Sequence, residues 1–180
     1  MINNLFSLVP GVLWITGLSG SGKTTISKIL FSKLKKKYNN VVLLDGDILR
    51  ANLKISTSGT FGYNSRKKIG LKYSAICKKY IDNGYFVIIA VMALHKAVHY
   101  WNKKNLKNYF DVFLQVPIKE LIKRDPKKIY YKYKKEQIKN VAGLDLKYDK
   151  PRKPSLKIIW KSGLSARKIS ARIIKKIFSI

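Results

Sequence analysis

Acidic residues are scarce in this chain: nine Asp and Glu stand against 38 Lys and Arg, a formal charge of +29. Such an excess attracts polyanions and permits nucleic-acid or anionic-membrane binding. The basic residues are spread along the chain rather than gathered in one arm, and Lys, Ile, Asn and Tyr are abundant throughout. Their spread excludes a dedicated basic arm and reads as general composition, with non-specific sticking at low salt and no specific nucleic-acid partner. Cysteine is almost absent. Cys77 stands alone in a helical-looking segment, so no disulfide framework exists, a reducing compartment is permitted, and the thiol reads as a small core residue. Long apolar runs are missing too: "FVIIAVMAL" at 86–94 is too short to span a bilayer. The opening "MINNLFSLVPGVLWITG" lacks the basic n-region of a leader, so the expected place is the cytoplasm, without a membrane partner. Repeats and low-complexity linkers are also lacking, and 180 residues suit one domain, 1–180, with no room for a second enzyme.

What is present is an alternation of short apolar runs and helical patterns. "GVLWIT" (11–16) reads as a buried strand, and Ile26, Ile29, Leu30 and Leu34 mark a helix from Lys23 to about Lys36. "VVLL" (41–44) is a second strand, ending at Asp45. Residues 54–64 read as a loop, and a helix runs from about Ser65 to Asp82, closed by Asn83-Gly84. "YFVIIAV" (85–91) is the third strand, 95–106 a helix, and "FDVFLQV" (110–116) the fourth strand, with Pro117 opening the next helix. Segment 126–155, rich in Lys and Tyr, offers little for a core face and is expected to form a mobile basic lid and loop. "LKIIW" (156–160) and the amphipathic 164–178 complete the pattern. Strands alternating with helices give an α/β fold with a parallel sheet covered on both faces, whose ligands lie at the carboxyl ends of the strands.

Residues 17–24, 45–50 and 92–96 fall at such ends. The first, "GLSGSGKT", satisfies G-x-x-x-x-G-K-[ST] between a strand and a helix. Its glycines let backbone N–H groups turn in around phosphates, and the helix start adds positive charge. The expected ATP site is therefore Gly17, Ser19, Gly20, Ser21, Gly22, Lys23, Thr24 and Thr25, with Lys23 on the β and γ phosphates and Thr24 on Mg²⁺. The second, "LLDGDILR", carries two of the nine acids, and the glycine between them suggests a turn. Asp45 can hold Mg²⁺ through water or accept the proton of an attacking hydroxyl, so Asp45 and Lys23 are the candidate catalytic residues. Asp47 serves the substrate or caps a following helix. Arg50 can clamp a phosphate or sulfate by its planar fork, or be a solvated cation. His95 and His99, spaced i, i+4, have no third ligand nearby and read as surface or packing residues. Tyr130, Tyr131 and Tyr133 fit either a nucleobase stack or a packed lid.

These motifs, in this order, resemble the adenylylsulfate (APS) kinase family over nearly the whole length. The likeness runs through "LWITGLSGSGKTT", "LLDGDILR", "FGYNSRKK", "DNGYFVIIAVMA", "FDVFLQVP", "KRDPKKIY" and "IKNVAGLDLKYDKPRKPSLKI". The resemblance implies a P-loop kinase with a five-stranded parallel sheet, using ATP and Mg²⁺ to phosphorylate the 3′-hydroxyl of a nucleotide's ribose. It also implies that Asp45 and Asp47 are the functional acid pair. Arg50, Phe61 and Arg66 match substrate-contacting residues, and Lys127 matches the lysine of the lid. Its partner would be a small nucleotide acceptor, with a homodimer open. The chain departs from the family at Ile48, where Asn is usual, at Ile69, where Asn is usual, and at Ala93-Leu94-His95, where "S-P-Y" is usual. Ala93 has no hydroxyl to form a phosphoserine. A second branch, found among capsule-modification enzymes and including a cytidine diphosphoramidate kinase, resembles the run of Tyr73, Ser74, Cys77, Trp101, Asn102 and Asn105. The expectation is thus a kinase with a cytidine diphosphoramidate-type acceptor, with adenylylsulfate phosphorylation in sulfate assimilation as the alternative. A non-catalytic basic P-loop protein binding nucleic acid is the alternative of another class, distinguished by salt-sensitive binding without turnover.

Overall fold

In a computed structural model, which describes residues 6–55 and 62–178, the apolar runs form five parallel strands. They are β1 (Gly11–Gly17), β2 (Val41–Asp45), β3 (Phe86–Val91), β4 (Tyr109–Gln115) and β5 (Leu156–Ile159), in the spatial order β2-β3-β1-β4-β5. Their register places Thr16 opposite Val91, Asp45 opposite Ala90 and Gly17 opposite Leu114, so the carboxyl ends share one edge.

Alternation along the strands sorts side chains to two faces, because successive residues of a strand point oppositely. Val12, Trp14, Val87 and Ile89 pack with Tyr73, Cys77 and Ile81 of α3 (Tyr63–Asp82) and Val98 of α4 (Lys96–Asn105). Leu13, Ile15 and Ile88 pack on the other face with Ile26, Leu30 and Leu34 of α1 (Lys23–Lys35) and Ile173 of α7 (Ala166–Phe178). Both faces are covered, as the unbroken apolar strands require. Cys77 is fully buried, in the core as its setting suggested.

Four departures from the sequence reading matter for the site. Residues 46–52 form a helix, α2 (Gly46–Asn52), where the glycine suggested a turn. The cap is Asp45 and not Asp47: the Asp45 carboxylate accepts the Asp47 N–H at 2.8 Å, satisfying a free donor of the first turn. Helix α3 starts at Tyr63, two residues early, and the rest of the expected loop is described only at Lys54, Ile55 and Gly62. After α5 (Ile118–Arg124), segment 126–155 contains α6 (Ile129–Lys134) and contributes to a core. Tyr130, Val141 and Ala142 are buried with Leu18, Leu94, Phe113 and Leu121, a third cluster below the strand ends. Spaced apolar residues among many lysines hid this face, since no run or period exposed it. His95 and His99 are both buried, and His95 precedes α4, its Nδ1 accepting the Ala97 N–H at 3.1 Å.

Candidate active site

The loop between β1 and α1 is shaped by close approach. A Cβ on Gly17 would lie 2.6 Å from Ser21 Oγ and 2.9 Å from the Leu114 carbonyl, and Gly22 sits at φ +90°. Only glycine fits the first position, and few residues adopt the second. Lys23 Nζ donates to the Leu18 carbonyl at 2.8 Å, folding the amine back over the loop. Thr24 Oγ1 donates to Asp45 Oδ2 at 2.9 Å. Asp47 pairs with Arg50 on its own helix and with Lys127 beyond α5. Tyr130 of α6 donates to the Ser19 carbonyl at 3.1 Å, so segment 126–155 rests on the phosphate loop. That bond and its burial make Tyr130 a packed residue, while Tyr131 is exposed.

These groups surround one cavity of about 960 Å³. Ser19, Gly20, Gly22, Lys23, Thr24 and Thr25 line it, and so do Asp45, Asp47, Arg50, Arg66 and Lys127. Gly17 and Ser21 are buried beneath the loop and do not line it. Phe61 lies outside the described residues. Of the third marked stretch, Met92 and Ala93 reach the cavity; Leu94 and His95 do not.

The electrostatics point to anions. Burial, then the nearby Lys127, push the Lys23 amine down to about 7; Asp45 opposes this and Arg50 adds to it. Burial also lowers Arg66 and Lys127, each with Arg50 as its next cause. Cations crowded so that their charged forms are disfavoured gain most from an incoming phosphate. The loop, the cation cluster and the Thr24–Asp45 pair therefore suit a magnesium-bound nucleoside triphosphate at one end and an anionic acceptor at the other. No group of three or more His, Cys, Asp or Glu among the described residues could hold a metal by itself.

Several further residues at the cavity were not expected as site residues from the sequence. Arg124, Leu164 and Ala166 line the cavity from α5 and the approach to α7. Tyr73 lines it too, its hydroxyl donating to the Gly46 carbonyl at 3.2 Å. Asp125 accepts the N–H groups of Ile129 and Tyr131, both at 2.8 Å, and so orients α6.

A parallel sheet in this strand order, a phosphate loop on β1 and a carboxylate at the end of β2 define a P-loop kinase. Residues 9–159 match the adenylylsulphate kinase family. The chain is 40% identical over 144 residues to the cytidine diphosphoramidate kinase of Campylobacter jejuni, covering 79% of this chain and 82% of that one. It is 35% identical over 150 residues to the adenylyl-sulfate kinase of Clostridium acetobutylicum, covering 82% and 73%. The APS kinase of Mycobacterium tuberculosis, solved with AMPPNP and APS, superposes with a TM-score of 0.82 at 25% identity, over 93% of this chain and 97% of that one. This chain belongs to the adenylylsulphate kinase family. It is an ATP-dependent phosphotransferase with an alcohol group as acceptor, working with ATP and Mg²⁺ on a small nucleotide. No helix among the described residues is long and apolar enough to cross a membrane.

Proposed function

We propose that the chain transfers the γ-phosphate of ATP to the ribose 3′-hydroxyl of a cytidine diphosphoramidate-type nucleotide, in the modification of a capsular polysaccharide. The observation that carries this acceptor is the 40% identity to a cytidine diphosphoramidate kinase, higher than the 35% to an adenylyl-sulfate kinase. The apolar lining by Ile69 and Ala93 agrees with it, since polar residues usually occupy those places in adenylylsulfate kinases. Adenylylsulfate is the second reading, favoured by the match of residues 9–159 to the family as a whole.

In this reading residues 1–180 act as one kinase domain with residues 126–155 as its lid. The loop from Gly17 to Thr25 holds the triphosphate, and Lys23 offsets charge on the transferring phosphoryl. Thr24 and Asp45 would hold Mg²⁺, Asp45 through water, and the bound ion would further neutralise the phosphate oxygens. Arg50, Arg66 and Lys127 grip the acceptor's anionic tail, with Asp47 steadying Arg50 and Lys127. Phe61, outside the described residues, is a candidate acceptor contact by the family resemblance alone. Asp45 takes the proton of the 3′-hydroxyl as its oxygen bonds to the γ-phosphorus, and the bond to the β-phosphate oxygen breaks to release ADP. Transfer is direct, because Ala93 offers no hydroxyl for a phosphoenzyme.

The finer readings of assembly and place rest on the family likeness: a homodimer, checked by light scattering, and a cytoplasmic site, where ATP is supplied. The acceptor is tested by following ADP release with adenylylsulfate, cytidine diphosphoramidate, CDP and CMP in parallel. Turnover confined to adenylylsulfate would overturn the first reading. Salt-sensitive nucleic-acid binding without turnover would overturn both.

A further inference from the structure

The segment from Asn140 to Asp149 is fastened to α3 at two points. Arg66 Nη2 donates to the Asn140 carbonyl at 2.9 Å, and the Tyr63 hydroxyl donates to Asp149 Oδ2 at 2.6 Å. Tyr63 and Arg66 are i, i+3, on one face of the first turn of the helix. Between the two ties, Asp145 closes a tight turn by accepting the N–H groups of Asn140 at 2.8 Å and Val141 at 2.6 Å. The segment is therefore a short strap with both ends on the turn that carries Arg66.

Asp149 also holds the link between β3 and α4. Its Oδ2 accepts the Lys96 N–H at 2.8 Å, and its own N–H donates to the Leu94 carbonyl at 3.0 Å. The Tyr63 ring lies against His95, with 4.2 Å between centroids. Tyr63, His95 and Asp149 do not line the cavity, whereas Arg66 and Ala93 do. One carboxylate thus joins, from behind, the two elements that present Arg66 and Ala93.

We infer that Asp149 is a positioning residue for acceptor binding, acting through Tyr63 and the strap to hold Arg66 at the cavity wall. The inference rests on the reading that Arg66 grips the acceptor. Losing one hydrogen bond to a charged group would let the first turn of α3 shift, weakening acceptor binding while leaving the phosphate loop, on β1 and α1, unchanged.

The test measures KM for acceptor and for ATP, kcat and melting temperature in Asp149→Asn, Asp149→Glu, Tyr63→Phe and Arg66→Ala, with cytidine diphosphoramidate and adenylylsulfate each as acceptor. Asp149→Asn and Tyr63→Phe are expected to raise the acceptor KM by about tenfold, the weight of a charged hydrogen bond, with the ATP KM held within about twofold. Asp149→Glu is expected to recover part of that loss. If Asp149→Asn does not fold, Tyr63→Phe decides alone. An acceptor KM raised by Arg66→Ala but unmoved by Tyr63→Phe and Asp149→Asn overturns the inference and spares the proposed function. Both KM values rising together with a fall in melting temperature shows a merely structural tie and overturns it as well. An acceptor KM untouched by Arg66→Ala removes the assumed role of Arg66 and the inference with it.

Discussion

Thr24 and Asp45 are joined by a 2.9 Å hydrogen bond that spans from the start of α1 to the end of β2, across the position of β3. The same carboxylate uses its other oxygen to cap α2 through the Asp47 N–H. Asp45 is thus fixed by both oxygens, one facing the phosphate loop and one holding the helix that carries Asp47 and Arg50. A carboxylate held this way would need little reorganisation to act as the proposed base on a hydroxyl beside the phosphates.

Asp45→Asn should lower kcat by about two to four decades, the usual weight of a lost general base. The amide oxygen can still cap α2, so the fold and ATP affinity should change little. Steady-state rates set beside calorimetric ATP binding check this. Affinity lost in step with turnover would reduce Asp45 to a nucleotide ligand.

Lys23→Ala should abolish most turnover and leave the melting temperature close to that of the parent. The amine's hydrogen bond to the Leu18 carbonyl is at the edge of the cavity and not in either sheet-face core. Near-normal turnover in this variant would mean that ATP is not held by the loop.

The sheet and its loop were legible because strands buried on both faces leave unbroken apolar runs, and because the loop needs glycine at Gly17, by contacts under 3 Å, and at Gly20 and Gly22, by positive φ. Helix α2 was not legible, since "DGD" is also the signature of a turn and only the Asp45 cap decides between them. In segment 126–155 the core residue Tyr130 is separated from Val141 and Ala142 by a lysine-rich interval, and they share a cluster only through tertiary contact. The tie of Asp149 to α3 was hidden for the same reason: Tyr63 is 86 residues away in sequence. His99, read as a surface or packing residue, and Asn102, part of the run shared with the second branch, are both buried.

The Tyr63–Asp149 bond predicts a stability window. Tyr63 is pushed up from 10.0 to about 12, first by its hydrogen bond to Asp149 and then by burial. For Asp149, burial is the largest effect and acts upward, but hydrogen bonds from Tyr63 and the Lys96 N–H with nearby cations outweigh it, leaving it below 3.8. A raised tyrosine contributes stability that is complete below 10.0 and lost as pH climbs through about 12, because the unfolded chain ionises first. A lowered aspartate contributes stability present above 3.8 and lost as pH falls through its folded value. The stability difference between parent and Tyr63→Phe, from urea denaturation at successive pH values, should therefore be flat between these limits and shrink beyond each. A difference that keeps its size above the upper limit would contradict the bond.

The last prediction concerns acceptor choice. Ile69 is half-buried and Ala93 is 3% exposed, and both line the cavity with Arg50 and Arg66. The cations that would grip an anionic tail are kept, while the positions that in adenylylsulfate kinases usually carry polar side chains are apolar here. A polar group of the acceptor brought against Ile69 or Ala93 loses its water and gains no partner, which costs about 1–3 kcal/mol each. Two such losses correspond to about two decades or more in kcat/KM, so adenylylsulfate should be used poorly beside a cytidine diphosphate bearing a small group. Ile69→Asn should narrow that gap by raising kcat/KM for adenylylsulfate, with the ATP KM unmoved because Ile69 sits on α3 and away from the phosphate loop. Competition assays with both acceptors present read the ratio directly. An Ile69→Asn variant with an unchanged ratio, in a protein whose parent already prefers adenylylsulfate, would place discrimination elsewhere in the cavity and return the chain to the adenylylsulfate reading.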